Sequence, residues 1–259
     1  MRPASFSSLV VLVLAGAACG AATVMTDRMQ VGQAGHGAVH FPIPASKGSV
    51  TYRTAKRIRG VFDGGLKTYG RGIRCNNLRE GGDVDAVFLL EDGATLKNAL
   101  IGADQNEGVH CLRSCTIDNV WWTAVCEDAL TMKGNGNGRV IGGGARGARD
   151  KVIQHDGLGT VLISGFTVFN FGKLYRACGN CPVSGRRVVL VNNVRAFNGE
   201  VLVGINTNMG DTATIQGTCT AGVKEVCTEF IEAPPGGKSR KLRSGRSQAC
   251  RYQTVPLCA

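Results

Sequence analysis

Aromatic side chains make up only 6% of this 259-residue chain, against 37 glycines. Nor does any long stretch repeat apolar residues at the 3.6-residue period of an amphipathic helix, so a helical bundle is excluded. Acidic residues are also in short supply. Nineteen Asp and Glu face thirty Lys and Arg, a formal charge of +11. Inside a cell that balance points to nucleic acid; outside one, it points to acidic polysaccharide or an anionic surface. Charge alone does not separate these partners from simple solubility.

Long hydrophobic runs are missing as well. The one apolar run, from Leu9 to Ala18 after Arg2, is far short of the ~20 residues a membrane span needs. Small residues follow it, the pattern of a secretory signal peptide over residues 1–20, cleaved near Gly20 or Ala22. The mature chain is therefore expected to be secreted and extracellular, a monomer with no nucleic-acid partner and no membrane association after cleavage. Its cysteines fit that compartment. Cys19 leaves with the signal peptide, and Cys75, Cys111, Cys115, Cys126, Cys178, Cys181, Cys219, Cys227, Cys250 and Cys258 remain. An even number in a secreted chain predicts disulfides, with the connectivity open. Zinc is the rival at Cys178-Gly-Asn-Cys181, but no second CxxC exists to complete a site.

What is present is a set of short β-branched runs, each broken by Asn or Gly. The breakers Asn98, Asn119, Gly143, Gly165, Asn193 and Gly217 recur at intervals of 21, 24, 22, 28 and 24 residues. A near-constant period of that size predicts a solenoid whose coils bury their apolar faces only by stacking. The β-branched content selects strands, so the expected fold is all-β, a disulfide-bonded parallel β-helix. No leucine frame supports a leucine-rich repeat, and a sandwich would space its strands more closely. The asparagines read as left-handed turn residues whose amides hydrogen-bond from coil to coil. Residues 21–232 are read as this domain, with 21–60 as an N-terminal cap. Residues 233–259 are read as a tail, its basic run Lys238, Arg240, Lys241, Arg243 and Arg246 solvated and its end pinned by Cys250 and Cys258.

The same period aligns polar residues at strand entries. Glu127 lies 20 residues after Glu107, Lys151 lies 23 after Asp128, and Lys173 lies 22 after Lys151. Equivalent positions on successive coils stack about 4.8 Å apart. Glu107, Glu127 and Asp128 are thus expected to form an acidic cluster beside a cationic one of Lys151, Lys173 and Arg176. Clustered carboxylates repel unless a cation sits among them, and an all-oxygen set favours Ca²⁺ over zinc. Salt bridges between adjacent coils are the structural alternative. His110 and His155 read as stacked structural residues, and the glycine-rich stretch 134–138 as a turn. Trp121 and Trp122 read as one core and one exposed ring.

Seven ordered segments, "VFLLEDGATLKNALIG", "EGVHC", "CTIDNVWW", "VCEDALT", "VIGGGA", "DKVIQHDGLGT" and "FGKLYRACGNC", resemble the secreted pectate lyases of polysaccharide lyase family 3. The resemblance spans roughly residues 83–230. It implies a single-stranded right-handed parallel β-helix, Ca²⁺ dependence, and β-elimination of polygalacturonate or low-ester pectin. By motif it implies Glu107, Glu127 and Asp128 as Ca²⁺ ligands, Lys151 as the base, and Lys173 and Arg176 as substrate-binding cations with a share in catalysis. Asp83 or Asp85 is a looser match to a further cleft residue. Ca²⁺, Lys173 and Arg176 would lower the Lys151 pKa and set an alkaline optimum, whereas Glu127 and Asp128 oppose that shift when Ca²⁺ is absent. Two other readings stay open: a β-helix hydrolase of the same polymer, and an acidic-polysaccharide-binding protein without catalysis.

Overall fold

The computed structural model describes residues 41–75 and 80–259, all within one compact unit. The expected signal peptide, Cys19 and residues 21–40 of the expected cap lie outside the described residues. Among the described residues the only helical segments are two single 3-10 turns, Asp83–Asp85 and Thr207–Met209. None is long and apolar enough to cross a membrane.

The chain winds as a parallel β-helix with three sheets. In one complete coil, Ala94–Ile101 contributes first to the second sheet and then to the third, and Glu107–Cys111 lies in the first. Cys115–Trp122 then starts the next coil in register with Ala94–Ile101. The first sheet stacks Phe88, Val109, Leu130, Ile153, Tyr175, Val203 and Cys227, all buried. The second stacks Leu96, Ile117, Val140, Ile163, Val191 and Ile215 in the same way. Each such side chain is withdrawn from water only because the coils above and below cover it. Burying one contributes about 1.5–3 kcal/mol.

The coil corners follow the breakers. Asn98, Asn119, Gly143, Gly165, Asn193 and Gly217 all have positive φ, between 50° and 75°. Asparagine tolerates that region better than most residues because its short amide bonds locally. The Asn119 amide donates to Asn98 Oδ1 at 2.9 Å, and the Asn98 amide donates to Asp63 at 3.2 Å, so the expected amide ladder is present. Where it ends, glycine is needed: a Cβ on Gly143 would lie 2.1 Å from Val120 O.

Ten cysteines form five disulfides: Cys75–Cys126, Cys111–Cys115, Cys178–Cys181, Cys219–Cys258 and Cys227–Cys250. Cys178 and Cys181 are thus bonded to each other, which removes the thiolates a zinc site would need. The basic run is exposed as expected, yet it is not free. Arg240–Ser244 pairs antiparallel with the last long strand, Cys219–Ile231. Lys241 contacts Glu225, and Arg243 Nη2 lies 3.0 Å from Glu229 Oε1. Trp121 and Trp122 correct the expectation of one exposed ring. Both are buried, Trp121 packing on Phe41 and Leu100, and Trp122 in the main core.

Candidate active site

The long strands Gly144–His155 and Thr167–Ala177 bend from the third sheet into the first, and their register slips between Ala148 and Lys151. That corner brings polar residues of neighbouring coils together. Asp128 is in register with Lys151, Lys151 with Lys173, and Lys173 with Val201. Lys151 Nζ lies 3.4 Å from both Glu127 Oε1 and Asp128 Oδ1. The structure therefore brings Glu127, Asp128 and Lys151 into contact, interleaving the acid and the base instead of holding them as two separate clusters.

Asp150, the residue before the lysine, completes the arrangement. Its Oδ2 is 2.5 Å from Lys151 Nζ and its Oδ1 is 2.9 Å from Lys173 Nζ. One carboxylate thus ties two ammonium groups from adjacent coils. Sequence reasoning passed over Asp150, though its place beside Lys151 at a strand entry was a usable signal.

Burial acts on every charge here, and the neighbours decide the outcome. For Lys151, burial works to lower the pKa, but Asp128, Asp150 and Glu127 together outweigh it and hold the ammonium above its ordinary value. The opposition of Glu127 and Asp128 is that expected without metal; Asp150, which stands between Lys151 and Lys173, adds to it. Burial raises Glu127 despite the pull of Lys151, and raises Asp128 well above the usual carboxylate range. Asp150 goes the other way; burial would raise it, but Lys151 and Lys173 prevail.

Glu107 stands one step apart. Its Oε1 accepts a hydrogen bond from the Gly81 N–H at 2.9 Å, and its Oε2 lies 3.2 Å from His110 Nε2. His110 Nδ1 in turn lies 2.8 Å from Asp83 Oδ1, so both ring nitrogens of this buried histidine face carboxylates. Asp85 accepts the Gly82 N–H and caps its own turn. Among the described residues, the ligand atoms of Glu107, Glu127 and Asp128 do not all lie within 4.8 Å of one another. The one group that does is Asp156, Cys178 and Cys181, and its sulfurs are spent on a disulfide.

The pair at Glu127 and Asp128 nonetheless fits a hard cation. Glu127 Oε2 is buried and accepts no hydrogen bond, Asp128 Oδ1 is buried and meets only the Lys151 ammonium at 3.4 Å, and Lys151 is the only described cation in contact with the pair. Two adjacent buried carboxylates that share one ammonium and leave an oxygen orphaned are stabilised by an oxygen-seeking divalent ion, and Ca²⁺ suits that donor set.

Arg176 lies across the same cleft, a hollow of about 730 Å³ that also includes Asp150, Lys151 and Lys173. It is buried, its Nη1 donating to Ala177 O and to Asn206 Oδ1 at 2.7 Å, its Nη2 to Ser239 Oγ at 3.1 Å. Its guanidinium also sits 4.1 Å over the Phe230 ring. Burial brings its pKa down to about 10, with Asp211 opposing. Arg176 thus serves the cleft from within its wall, whereas Lys173 is the more open cation. The supports beneath it, Asn206, Asp211 and Glu232, come from coils that no motif linked to it.

A family model described as pectate lyase matches residues 40–235. Probable pectate lyase E of Neosartorya fischeri is 63% identical over 216 residues, covering 82% of this chain and 85% of that protein. Pectate lyase E of Emericella nidulans is 61% identical over 215 residues, covering 82% and 84%. Among solved structures, the catalytic domain of pectate lyase PelI from Erwinia chrysanthemi matches with a TM-score of 0.63 at 31% identity, covering 82% of this chain and 95% of that one. PelI in complex with tetragalacturonic acid matches with a TM-score of 0.60 at 31% identity, covering 77% and 68%.

Proposed function

The chain belongs to the pectate lyase family, and from that premise we propose that it cleaves polygalacturonate outside the cell by Ca²⁺-dependent β-elimination. The observation that carries the proposal is the contact of Lys151 with Glu127 and Asp128 in a cleft that also holds Lys173 and Arg176. A glycosidase would need a carboxyl pair flanking the scissile bond, one of them aimed at water. Here the buried carboxylates Glu127 and Asp128 are joined to an amine, which favours proton abstraction at carbon.

In this reading residues 21–232 are the catalytic domain and 233–259 fold back onto it. Five disulfides and the N-terminal signal pattern support an extracellular location. Glu127 and Asp128 would hold Ca²⁺, with Glu107 behind them. Bound there, Ca²⁺ would cancel the negative charge that keeps the Lys151 proton in place and would polarise a substrate carboxylate.

Lys151 then behaves differently. Burial is the largest single influence on it and pushes its pKa down, so with the carboxylates compensated the neutral amine becomes accessible. The free amine takes the galacturonate C5 proton. The C5–H electron pair becomes the C4=C5 double bond, and the C4–O bond to the neighbouring sugar breaks, its oxygen gaining a proton. Lys173 and Arg176 stabilise the negative charge that grows on the sugar carboxylate as the proton leaves. Asp150 keeps both lysines on the same side of the cleft. An alkaline optimum follows, because even a lowered lysine is mostly protonated at neutral pH.

The test follows ultraviolet absorbance of polygalacturonate digests with Ca²⁺ or chelator. Wild type should give a Ca²⁺-dependent rise, reduced roughly 10²–10⁴-fold in Lys151→Ala, the range for a lost general base. No rise from folded wild type at any pH overturns the lyase reading. A rise that survives in Lys151→Ala keeps the lyase and moves the base. Separately, Ca²⁺ should raise the melting temperature of wild type without substrate and leave Asp128→Asn unmoved. An equal rise in both would place the ion elsewhere.

A further inference from the structure

The cationic ladder of the cleft stops abruptly. Beyond Lys173 the in-register positions are Val201 and then Glu225, first apolar and then acidic. An anionic chain extended past Lys173 would find no further positive charge in that column. Residues 232–239 supply one from outside the ladder.

This strap leaves the end of Cys219–Ile231 and passes back over two coils to the loop that follows Thr167–Ala177. The Ala233 N–H donates to Gly179 O at 2.9 Å, and the Asn180 amide donates to Gly237 O at 2.7 Å. Arg176 donates to Ser239 Oγ at 3.1 Å. The approach is close enough that a Cβ on Gly179 would lie 2.6 Å from Ser239 Oγ. The Cys178–Cys181 disulfide closes the loop from the other side. Lys238 therefore sits between two anchored residues, and its backbone is held while its side chain is exposed at the cleft. Lys241 and Arg243, further along, are engaged by Glu225 and Glu229; Lys238 has no acidic partner among the described residues.

We propose that Lys238 contacts substrate, binding the carboxylate of a uronate residue that lies beyond Lys173, so that this chain favours long acidic polysaccharides over short oligomers. The proposal rests on the lyase reading above and adds a specificity residue to it. With its backbone already held, only the side chain must be ordered on binding, and a compact ammonium on a four-carbon stem can reach a charge that a polyuronide presents at regular spacing.

The experiment compares wild type, Lys238→Gln and Lys224→Gln on trigalacturonate and polygalacturonate, by initial rates of unsaturated product. Lys224 is exposed, pairs with Glu200 and lies outside the cleft, so its replacement controls for lost net charge. Lys238→Gln is expected to lose roughly three- to tenfold in kcat/KM on the polymer, the scale of one exposed charge contact, and clearly less on the trimer. Lys224→Gln should lose alike on both. Equal losses on both substrates in Lys238→Gln, or none, overturn the proposal. If wild type shows no turnover on either substrate, the lyase reading fails by itself. Calorimetric binding of polygalacturonate then decides: weaker binding to Lys238→Gln supports the contact, and equal binding removes it.

Discussion

His155 lies wholly inside the coil stack with its Nδ1 2.8 Å from the Tyr175 hydroxyl, and burial, aided by Arg187, brings its pKa down to about 3 from 6.5. Between those values the folded chain binds fewer protons here than the unfolded one. The contribution of His155 to stability is therefore complete above about pH 6.5 and lost as pH falls toward about 3. Asp211 acts with the opposite sign. Burial raises it to about 6 from 3.8, so the folded chain keeps a proton there and gains stability as pH falls through that interval. His155 is displaced further, and the pair together should destabilise the protein on acidification. His155→Gln is expected to flatten the fall in unfolding free energy between pH 7 and about 4, measured by urea titration. An unchanged slope would take His155 out of the account. The same contrast between identity and charge state applies to Lys151. Its place was legible from the spacing, but its proton state was not, because that depends on Asp150 at 2.5 Å and on how deeply the corner is buried.

At the scale of the coil, the turn residues were the most legible feature of the chain. Asn98, Asn119 and Asn193 adopt the left-handed conformation, and the first two hydrogen-bond as a ladder. A second ladder at the next corner went unread. Asn170 and Asn198 also have positive φ, and the Asn198 amide donates to Asn170 Oδ1 at 3.3 Å. Its signal was the matching recurrence of Gly147, Asn170, Asn198 and Gly222, hidden inside strands that run through the corner unbroken. Asn119 also accepts from Trp121 Nε1 at 2.8 Å. Asn119→Ala should therefore cost about 2–3 kcal/mol, for a left-handed Cβ without a local amide and for lost hydrogen bonds. Asn119→Gly keeps the conformation and should cost about 1 kcal/mol less. Equal losses in urea unfolding would show that the ladder, and not the backbone, carries the stability. The longest interval, 28 residues between Gly165 and Asn193, contains the Cys178–Cys181 loop that walls the cleft.

Across the whole molecule, the charge of +11 has a place to act. Lys173, tied to Asp150, and Lys238, with no acidic partner among the described residues, line one cleft, and the expected polymer is a polyanion. Salt screens such attraction over a Debye length of about 10 Å at 0.1 M. KM for polygalacturonate should rise several-fold as ionic strength increases toward about 0.5 M, with kcat changed far less. A flat KM would assign recognition to uncharged contacts. The period of β-branched runs, the turn residues and the cysteine count determined by themselves that this chain is a disulfide-bonded parallel β-helix, because each is a local requirement repeated at fixed intervals. Those intervals also placed Asp128, Lys151 and Lys173 in one column. Only the tertiary structure decided that Glu107 turns to His110, that Asp150 ties the two lysines, and that Arg176 works from inside the wall. It alone brought Lys238 to the cleft, for the strap crosses two coils and no repeat relates it to the ladder. Contacts between distant segments, and the burial that sets each pKa, exist only once the coils have stacked.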